Sequence, residues 1–418
     1  MKKGQNILGF IVLIAILFIG HNYLKSSMLF FRLLVGMGLG YALTRSFMGF
    51  AGSVNRAYNT GSTKLMRTLM GMFTATALIS IAFLYNADPA TYGLWINPIN
   101  LGLILGGLMF GFGMTFSMCC ASGVLTDLVT GLPRAFVTII FFGMGVFLGY
   151  PLNSRPWIKD SILTTETGAK LAGGVYLPDL FKWDGLNGYL GASILTGIFA
   201  LIVVYLSMKY EDAKRLEGSF TGVPSEIAQD TVIEEEKKPF VLFSEETYKK
   251  AFVNPWKMST GAAVITALFT LLMGVTKSGW GASTPYGIWF GKALMLFGVS
   301  PEALGEYSHK AASAYTAPFF ETAINLQNVG IVLGTLVCLL LAGSFKEVAT
   351  SELKISVKEV FLFAMGGFLM GFGTRLSNGC NVGALYTPIA NFSLSGWIFL
   401  IFLVAGGIIG NKVAKKIR

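Results

Sequence analysis

Two cysteines in a repeated glycine-rich stretch are the residues of this 418-residue chain best placed to do chemistry. Residues 106–125 read GGLMFGFGMTFSMCCASGVL, and residues 366–385 read GGFLMGFGTRLSNGCNVGAL. Nine of the twenty aligned residues are identical, and one identical pair is Cys120 and Cys380. The chain is therefore an internal duplication that carries one thiol at the matching place of each half.

A buried thiol beside a broken helix is suited to a small anion. The glycines and the run Asn378-Gly-Cys-Asn381 are expected to break a helix inside the membrane, where exposed backbone N–H groups attract negative charge. Apolar surroundings keep a thiol protonated, so it donates weakly to a soft sulfur or oxygen atom and does not repel a dianion. The sequence thus predicts a path for a sulfur-bearing anion lined by Cys120 and Cys380, with Ser117, Ser377, Asn378 and Asn381 beside the thiols.

The other two cysteines are interpreted differently. Cys119 aligns with Gly379 in the second half, so we expect its thiol to be dispensable. Cys338 lies in the apolar run LVCLL and is expected to fill space as a small hydrophobic residue.

Three basic residues lie in or beside apolar segments. An unpaired charge inside the membrane is costly, so Arg375 is expected to face protein or water and to draw an anion toward the thiols. Arg45 and Lys277 are the basic members of a second, weaker repeat, TRSFMG against TKSGWG. Each is a candidate pathway residue, although each could instead mark a membrane boundary.

Composition identifies the elements that must position these residues. Hydrophobic residues make up 53% of the chain, charged residues only 13%, and the mean hydropathy is +0.63, which is typical of a polytopic helical membrane protein. The net charge of +10 then indicates a membrane surface or an anionic substrate, not a nucleic acid. Without a CxxC pair and with only two histidines, neither a metal nor a cofactor is expected.

The apolar runs predict an all-α protein with about ten transmembrane helices, plus short re-entrant helices at the two cysteine breaks. After an anchor helix at the start of the chain, the predicted segments are 28–44, 65–85, 98–118, 134–150, 187–208, 258–275, 286–299, 325–343, 358–375 and 395–412. The two halves are expected to be pseudo-symmetric.

Charge divides the chain into four parts. They are an N-terminal anchor helix (1–24), a first membrane repeat (25–208), a charged extramembrane linker (209–257) and a second membrane repeat (258–418). The linker holds 18 of the 54 Asp, Glu, Lys and Arg residues. Because both chain ends are basic and positive ends favour the cytoplasm, we expect the termini and the linker to be cytoplasmic.

The motif GFGxRLxxGCNxGAxxTxIxxFSLxxW (371–397), its partner around Cys120 and the segment GYALTRS (40–46) resemble the YeeE/YedE family of sulfur-transport membrane proteins. The resemblance implies import of thiosulfate across the inner membrane, through an hourglass of helices whose narrow centre is lined by cysteines. It also implies a small cytosolic sulfur-carrier protein as a partner, and some family members are associated with selenium. Cys120 and Cys380 match two pathway cysteines of the family, and the third falls at Gly49 in this chain.

Alternative functions remain open from the sequence. A selenium-compound transporter would use the same fold. A membrane thiol oxidoreductase would need a resolving cysteine within disulfide reach, and adjacent Cys119 and Cys120 are a poor pair for that geometry. A structural scaffold would leave the symmetric thiols unexplained.

Overall fold

The computed structural model describes residues 3–231, 241 and 244–417, and these residues form helices with no named strand. In the first half the helices are α1 (Lys3–Tyr23), α2 (Ser27–Arg45), α3 (Gly52–Thr60), α4 (Lys64–Leu84), α5 (Leu101–Ser117), α6 (Gly123–Thr130), α7 (Leu132–Gly149), α8 (Pro156–Lys159), α9 (Glu166–Lys170) and α10 (Tyr189–Leu216). From the linker onward they are α11 (Pro224–Thr231), α12 (Glu245–Tyr248), α13 (Met258–Thr276), α14 (Tyr286–Met295), α15 (Pro301–Ser308), α16 (Ser313–Thr316), α17 (Ala323–Ala342), α18 (Phe345–Ser351), α19 (Val357–Leu376), α20 (Thr387–Ala390) and α21 (Leu394–Ile417).

Helix length and composition confirm the predicted class. Within the described residues, nine helical segments are long and apolar enough to cross a membrane, and they contain α1, α2, α4, α7, α10, α13, α17, α19 and α21. Helix α5 is apolar but has only 17 residues, or about 25 Å of helix, because it stops at the Cys120 break. The protein is therefore a multi-pass, all-α membrane protein of about ten spans.

Apolar side chains cover the outer helices. Ile14 of α1 and Leu201 of α10 are 64% and 68% exposed, and most of their neighbours on the same helices are also exposed. In a membrane protein such side chains contact lipid. These two helices therefore form part of the bilayer-facing surface.

Helix α10 runs eight residues beyond its predicted end at 208 and stops at Leu216. The extension is charged, and several of its charges are paired: Arg215 Nη2 lies 2.8 Å from Glu211 Oε1 one turn earlier, and Arg67 Nη2 lies 3.1 Å from Glu211 Oε2. The boundary prediction relied on hydropathy alone, and it was wrong because ion pairs continue the helix outside the apolar run.

Helices of the first half pack on helices of the second half in reciprocal pairs. Helix α5 of the first half packs on α21 of the second, and the equivalent α19 of the second half packs on α7 of the first. In the same way α2 packs on α17, and α13 packs on α4. Helices α5 and α19 pack on each other at the centre.

Helices α5 and α19 run antiparallel. A Cβ added to Gly106 would lie 2.7 Å from the Gly373 carbonyl oxygen, and a Cβ added to Gly113 would lie 2.7 Å from the Gly366 carbonyl oxygen. Residue numbers therefore rise along α5 in the direction in which they fall along α19, although these two helices are equivalent in the sequence repeat. The pseudo-two-fold axis that relates two equivalent antiparallel helices is perpendicular to both of them. Because these helices run across the membrane, the axis lies in the membrane plane, and the two repeats are inverted relative to each other.

The described linker residues contact one end of the helix bundle, here called the linker end. Trp256 N donates to Arg45 O (2.9 Å), and Tyr248 Oη donates to Leu341 O (2.7 Å). The opposite end, here called the loop end, is covered by residues 150–188, and Leu177 N there donates to Phe392 O (2.8 Å). Linker residues 232–240, 242 and 243 lie outside the described residues.

Candidate anion pathway

Each glycine-rich helix ends at a serine in the same way. Met118 and Asn378, which are sequence equivalents, follow the two helices with φ of 60° and 56°. The Ser117 hydroxyl lies within hydrogen-bond distance of Gly113 O (3.0 Å) and Cys119 O (3.2 Å), and that of Ser377 lies at 2.9 and 3.0 Å from Gly373 O and Gly379 O. Both serines therefore fasten the helix end to the broken segment that carries the cysteine.

Each cysteine then begins a new helical turn. Val124 N donates to Cys120 O (2.8 Å), and Ala384 N donates to Cys380 O (2.6 Å). The Cys120 sulfur faces the backbone N–H groups of the turn that follows it. Free N–H groups at a helix N-terminus carry partial positive charge, so each thiol stands where a small anion is favoured.

The structure brings the two thiols into one buried region. Cys120 and Cys380 are each 1% exposed, and they are near enough to each other and to Tyr286 to interact electrostatically. Tyr286 donates its hydroxyl proton to Ala121 O (2.5 Å) and so holds the first break in place. Both thiols are therefore closed to solvent in this conformation.

Asn381 brings an amide next to Cys380. It is 1% exposed, its Nδ2 lies 3.1 Å from Met114 Sδ, and its Oδ1 has no hydrogen-bond partner among the described residues. A buried amide oxygen without a partner is costly, and a water or a ligand that donates a proton there would satisfy it.

Arg375 lies at the loop end of the buried thiols. Its residue is 9% exposed, its Nε lies 3.3 Å from Thr374 Oγ1, and its guanidinium stacks 5.5 Å from the centre of the Tyr150 ring. Asn153 Nδ2 donates to Arg375 O (3.2 Å) and to Asn378 Oδ1 (3.1 Å), which ties the loop after α7 to the second break. The expected placement of Arg375 against protein agrees with this geometry.

A cavity of about 480 Å³ opens beside Arg375, and we call it the vestibule. It is lined by Tyr150, Asn153, Ser154, Lys159, Ser308, His309, Lys310 and Arg375. Lys310 and Tyr286 could not be identified from the sequence, because neither belongs to a repeat. A single lysine in a polar loop, or a tyrosine in a short apolar helix, gives no signal of its own.

Arg45 lies at the linker end of α2. It is 7% exposed, and its Nε and Nη2 have no hydrogen-bond partner among the described residues. Its guanidinium contacts the Cys338 thiol on α17. Cys338 is thus packed against a cation as well as against apolar neighbours.

Lys277 and Gly49 lie away from the thiols. Lys277 is exposed at the loop end, adopts a left-handed conformation (φ 52°) and places Nζ 5.5 Å from the Tyr92 ring centre. Gly49 is exposed after α2, and a Cβ there would meet no atom within 4 Å. The structure therefore does not bring these two candidates together with Cys120 and Cys380.

The fold and the paired breaks are those of a membrane transporter. A model of the sulphur transport family matches residues 45–409, so the chain belongs to that family, and the resemblance to YeeE/YedE proteins is confirmed. A transporter function follows from this membership, which argues against the thiol oxidoreductase and scaffold alternatives.

Individual relatives agree with the family. The chain is 25% identical to the thiosulfate transporter TsuA of Spirochaeta thermophila over 385 residues, which cover 91% of this chain and 97% of that protein. It is 21% identical to TsuA of Escherichia coli over 383 residues, 91% of this chain and 93% of that protein. The probable transporter YedE of Escherichia coli is 32% identical over 154 residues, 36% of each chain.

Proposed function

We propose that this protein imports thiosulfate along a central path on which Cys120 and Cys380 are successive contact points. One observation carries the proposal: two equivalent thiols from inverted repeats meet in one buried region, each at the start of a helical turn. The relative from Spirochaeta thermophila, named a thiosulfate transporter, aligns over nearly its whole length and supports this substrate.

The chemistry of the site suits such an anion. Neutral thiols and backbone N–H groups donate to the oxygens and to the terminal sulfur of thiosulfate, and none of these contacts is strong enough to trap it. A soft sulfur contact favours a sulfur-bearing anion over chloride or phosphate. Because both thiols are closed to solvent, transport requires the breaks to open in turn toward the two membrane faces.

Import also requires an orientation. We propose that the linker end faces the cytoplasm, which puts Arg375 and the vestibule on the outer side of the inner membrane. A small cytosolic sulfur-carrier protein would then receive the product at the linker end. This partner rests on the family resemblance, and co-purification with the full-length transporter from sulfur-starved cells would test it.

Uptake of labelled thiosulfate in cells that lack their own importers tests the path. Cys120→Ala and Cys380→Ala should each lower uptake about tenfold or more, because a lost contact of ~1.4 kcal/mol in the limiting step is a factor of ten. Cys380→Ser keeps a donor but loses the soft sulfur contact, so it should also transport poorly.

Cys119→Ala is the matched control, since that thiol is also buried but has no counterpart in the second half. It should transport at the unmodified rate, with equal protein in the membrane. Unmodified uptake by folded Cys120→Ala and Cys380→Ala proteins would show that these residues only pack. Uptake of a selenium analogue in preference to thiosulfate would favour the selenium-compound alternative.

A further inference from the structure

We propose that helix α6 is the gate of the transporter at the linker end, and that Arg134 is the positioning residue that keeps this gate closed. The assignment rests on the proposed function only in placing Cys120 on the route of the transported anion. Opening at the linker end is then a movement of α6 away from Arg134.

Helix α6 lies on the linker side of Cys120. It begins three residues after this cysteine, and α7, which follows it, runs from the linker end to the loop end, where residues 150–188 continue the chain. Helix α6 packs on α7, α17 and α18. It therefore stands between the first thiol and the linker end of the bundle.

Two ion pairs join α6 to its surroundings. Arg134 Nη2 on α7 lies 3.3 Å from Asp127 Oδ2 on α6, and Arg134 Nη1 lies 3.2 Å from Glu352 Oε2, just after α18. We call these three residues the Arg134 cluster. The hydroxyls of Thr126 and Thr130 bond within α6. In the part of the chain that the structure describes, the side chains of α6 therefore make their polar contact with other helices through Asp127.

The turn between α6 and α7 leaves space for the cluster. A Cβ added to Gly131 would lie 2.9 Å from Glu352 Oε2 and 3.2 Å from Arg134 Nη2. Gly131 N also donates to Asp127 O (2.8 Å), which closes the last turn of α6. The end of α6 is thus shaped around the guanidinium.

The partial burial of the cluster suits a contact that breaks and forms again. The side chains of Arg134 and Asp127 are 14% and 16% exposed, and that of Glu352 is 51% exposed. A fully exposed ion pair contributes little, whereas breaking a fully buried one leaves an uncompensated charge. At this edge of the bundle water can hydrate the separated charges, so α6 can leave Arg134 reversibly.

The second half has no equivalent of these ion pairs. At the offset of 260 residues, Asp127 corresponds to Thr387 and Arg134 to Leu394, and residues 376–411 contain no Asp, Glu, Lys or Arg. Thr387 is instead fully buried and donates to a backbone carbonyl oxygen (2.9 Å). The first break is therefore held by charge, and the second by a buried neutral hydrogen bond.

Burial also distinguishes the two breaks. All ten residues from 381 to 390, after Cys380, are buried, whereas five of the eight residues of α6 are only half-buried. A segment with fewer buried contacts opens locally at a lower free energy. Of the two segments that follow the paired thiols, α6 is therefore the one better able to move.

The native thiols report the opening of α6. Cys119 and Cys120 are buried next to its first turn, so movement of α6 exposes them to N-ethylmaleimide. Mass spectrometry of peptides from the full-length protein follows each site. We expect Arg134→Gln to raise the modification rate of these two thiols about tenfold, which corresponds to ~1.4 kcal/mol less gate closure. Loss of a nearby positive charge alone would slow a thiol's reaction, so a faster reaction reports exposure.

Arg67→Gln is the matched control, since Arg67 is also an arginine at the linker end but pairs with Glu211 of α10 (3.1 Å). It should leave the rates unchanged. Cys338, which is buried on α17, is the internal control and should react at the unmodified rate in every variant. A rise at Cys338 equal to that at Cys119 and Cys120 would show general loosening and would overturn the proposal.

Two further variants test the cluster if Arg134→Gln does not fold. Glu352→Gln removes the half-exposed partner and should give a smaller increase in the modification rate. Asp127→Asn should give an increase close to that of Arg134→Gln, and the double variant should add little, because both changes break one contact. Unchanged rates in Glu352→Gln and Asp127→Asn would overturn the proposal.

Uptake measurements separate this proposal from the transport function. If labelling behaves as expected but the unmodified protein carries no thiosulfate, the gate stands and the proposed function fails. If thiosulfate is carried but the labelling of Cys119 and Cys120 ignores Arg134, the gate fails and the proposed function stands.

Discussion

Gly149, the last residue of α7, lies directly against the side-chain stem of Arg375. A Cβ at Gly149 would be 2.6 Å from Arg375 Cγ and 2.7 Å from Arg375 Cβ. The glycine is part of the Gly145/Gly149 pair at the interface of α7 with α19, so the close helix packing of the inverted repeats also places the guanidinium. The close packing of the two helices and the placement of Arg375 therefore depend on the same residue.

Replacing Gly149 with alanine should displace Arg375 from the Tyr150 ring. We expect thiosulfate uptake to fall about tenfold and stability to drop by about 1–3 kcal/mol, the usual cost of overpacking a tight contact. Gly197→Ala on α10 is the control, because a Cβ there would meet no atom within 4 Å. Equal uptake and equal thermal stability in the two variants would show that Gly149 does not position Arg375.

Tyr286→Phe removes the hydroxyl that holds the first break. The ring stays buried, but Ala121 O loses the hydrogen bond from this hydroxyl, which should cost about 1–3 kcal/mol of unfolding free energy. Thermal unfolding of the purified protein measures the loss, and uptake should fall with it because the Cys120 turn is less well fixed. Tyr205→Phe, at a 60% exposed tyrosine, should change neither quantity.

Sulfate binding in the vestibule should weaken as pH rises. Lys310 is charged below its pKa, and that pKa is held below the ordinary lysine value by burial and by Arg375. Binding is therefore strongest while Lys310 is protonated and is lost as pH rises through the lowered pKa.

Ser154 is exposed and lines the vestibule, so sulfate should protect a Ser154→Cys variant from an anionic methanethiosulfonate reagent, and the sulfate concentration that gives half protection reports this change. It should increase several-fold between neutral and alkaline pH, and Lys310→Arg should abolish the increase because arginine stays charged. If the pH profile of sulfate protection is the same with and without Lys310→Arg, a group other than Lys310 titrates.

The repeats made the centre of this fold predictable. The offset of 260 residues between Cys120 and Cys380 pairs Ser117 with Ser377 and Met118 with Asn378, and these pairs have matching hydrogen bonds or matching φ angles. Duplicated sequence gives duplicated local structure, because the same glycines and serine make the same turn. Apolar length likewise predicted the spanning helices, but the predicted segment 286–299 is wrong as a span, because the structure forms only the ten-residue helix α14 there.

The vestibule could not be predicted in the same way. Lys310 and Arg375 are far apart in sequence, and both lie near the ring of Tyr150, which follows the end of α7. The inverted arrangement was equally hidden, since identical residues do not show which way a helix runs. The close approaches of Gly106 to Gly373 and of Gly113 to Gly366 together supply that direction.

The orientation of the protein in the membrane gives a final prediction. The linker end carries the end of α21, where Asn59 Nδ2 donates to Asn411 Oδ1 (2.9 Å), whereas Ser154 lies at the loop end. If the linker end is cytoplasmic, an impermeant thiol reagent added to intact cells should label Ser154→Cys, and a tag inserted between Ile233 and Glu234 should react only after the cells are opened. Glu246→Cys is the matched thiol control, because Glu246 is a linker residue that pairs with Lys250. This thiol should be protected from the impermeant reagent in intact cells. Labelling of the linker from outside, with Ser154→Cys protected, would show the opposite orientation. The vestibule would then face the cytoplasm, and an imported anion could not enter the protein there.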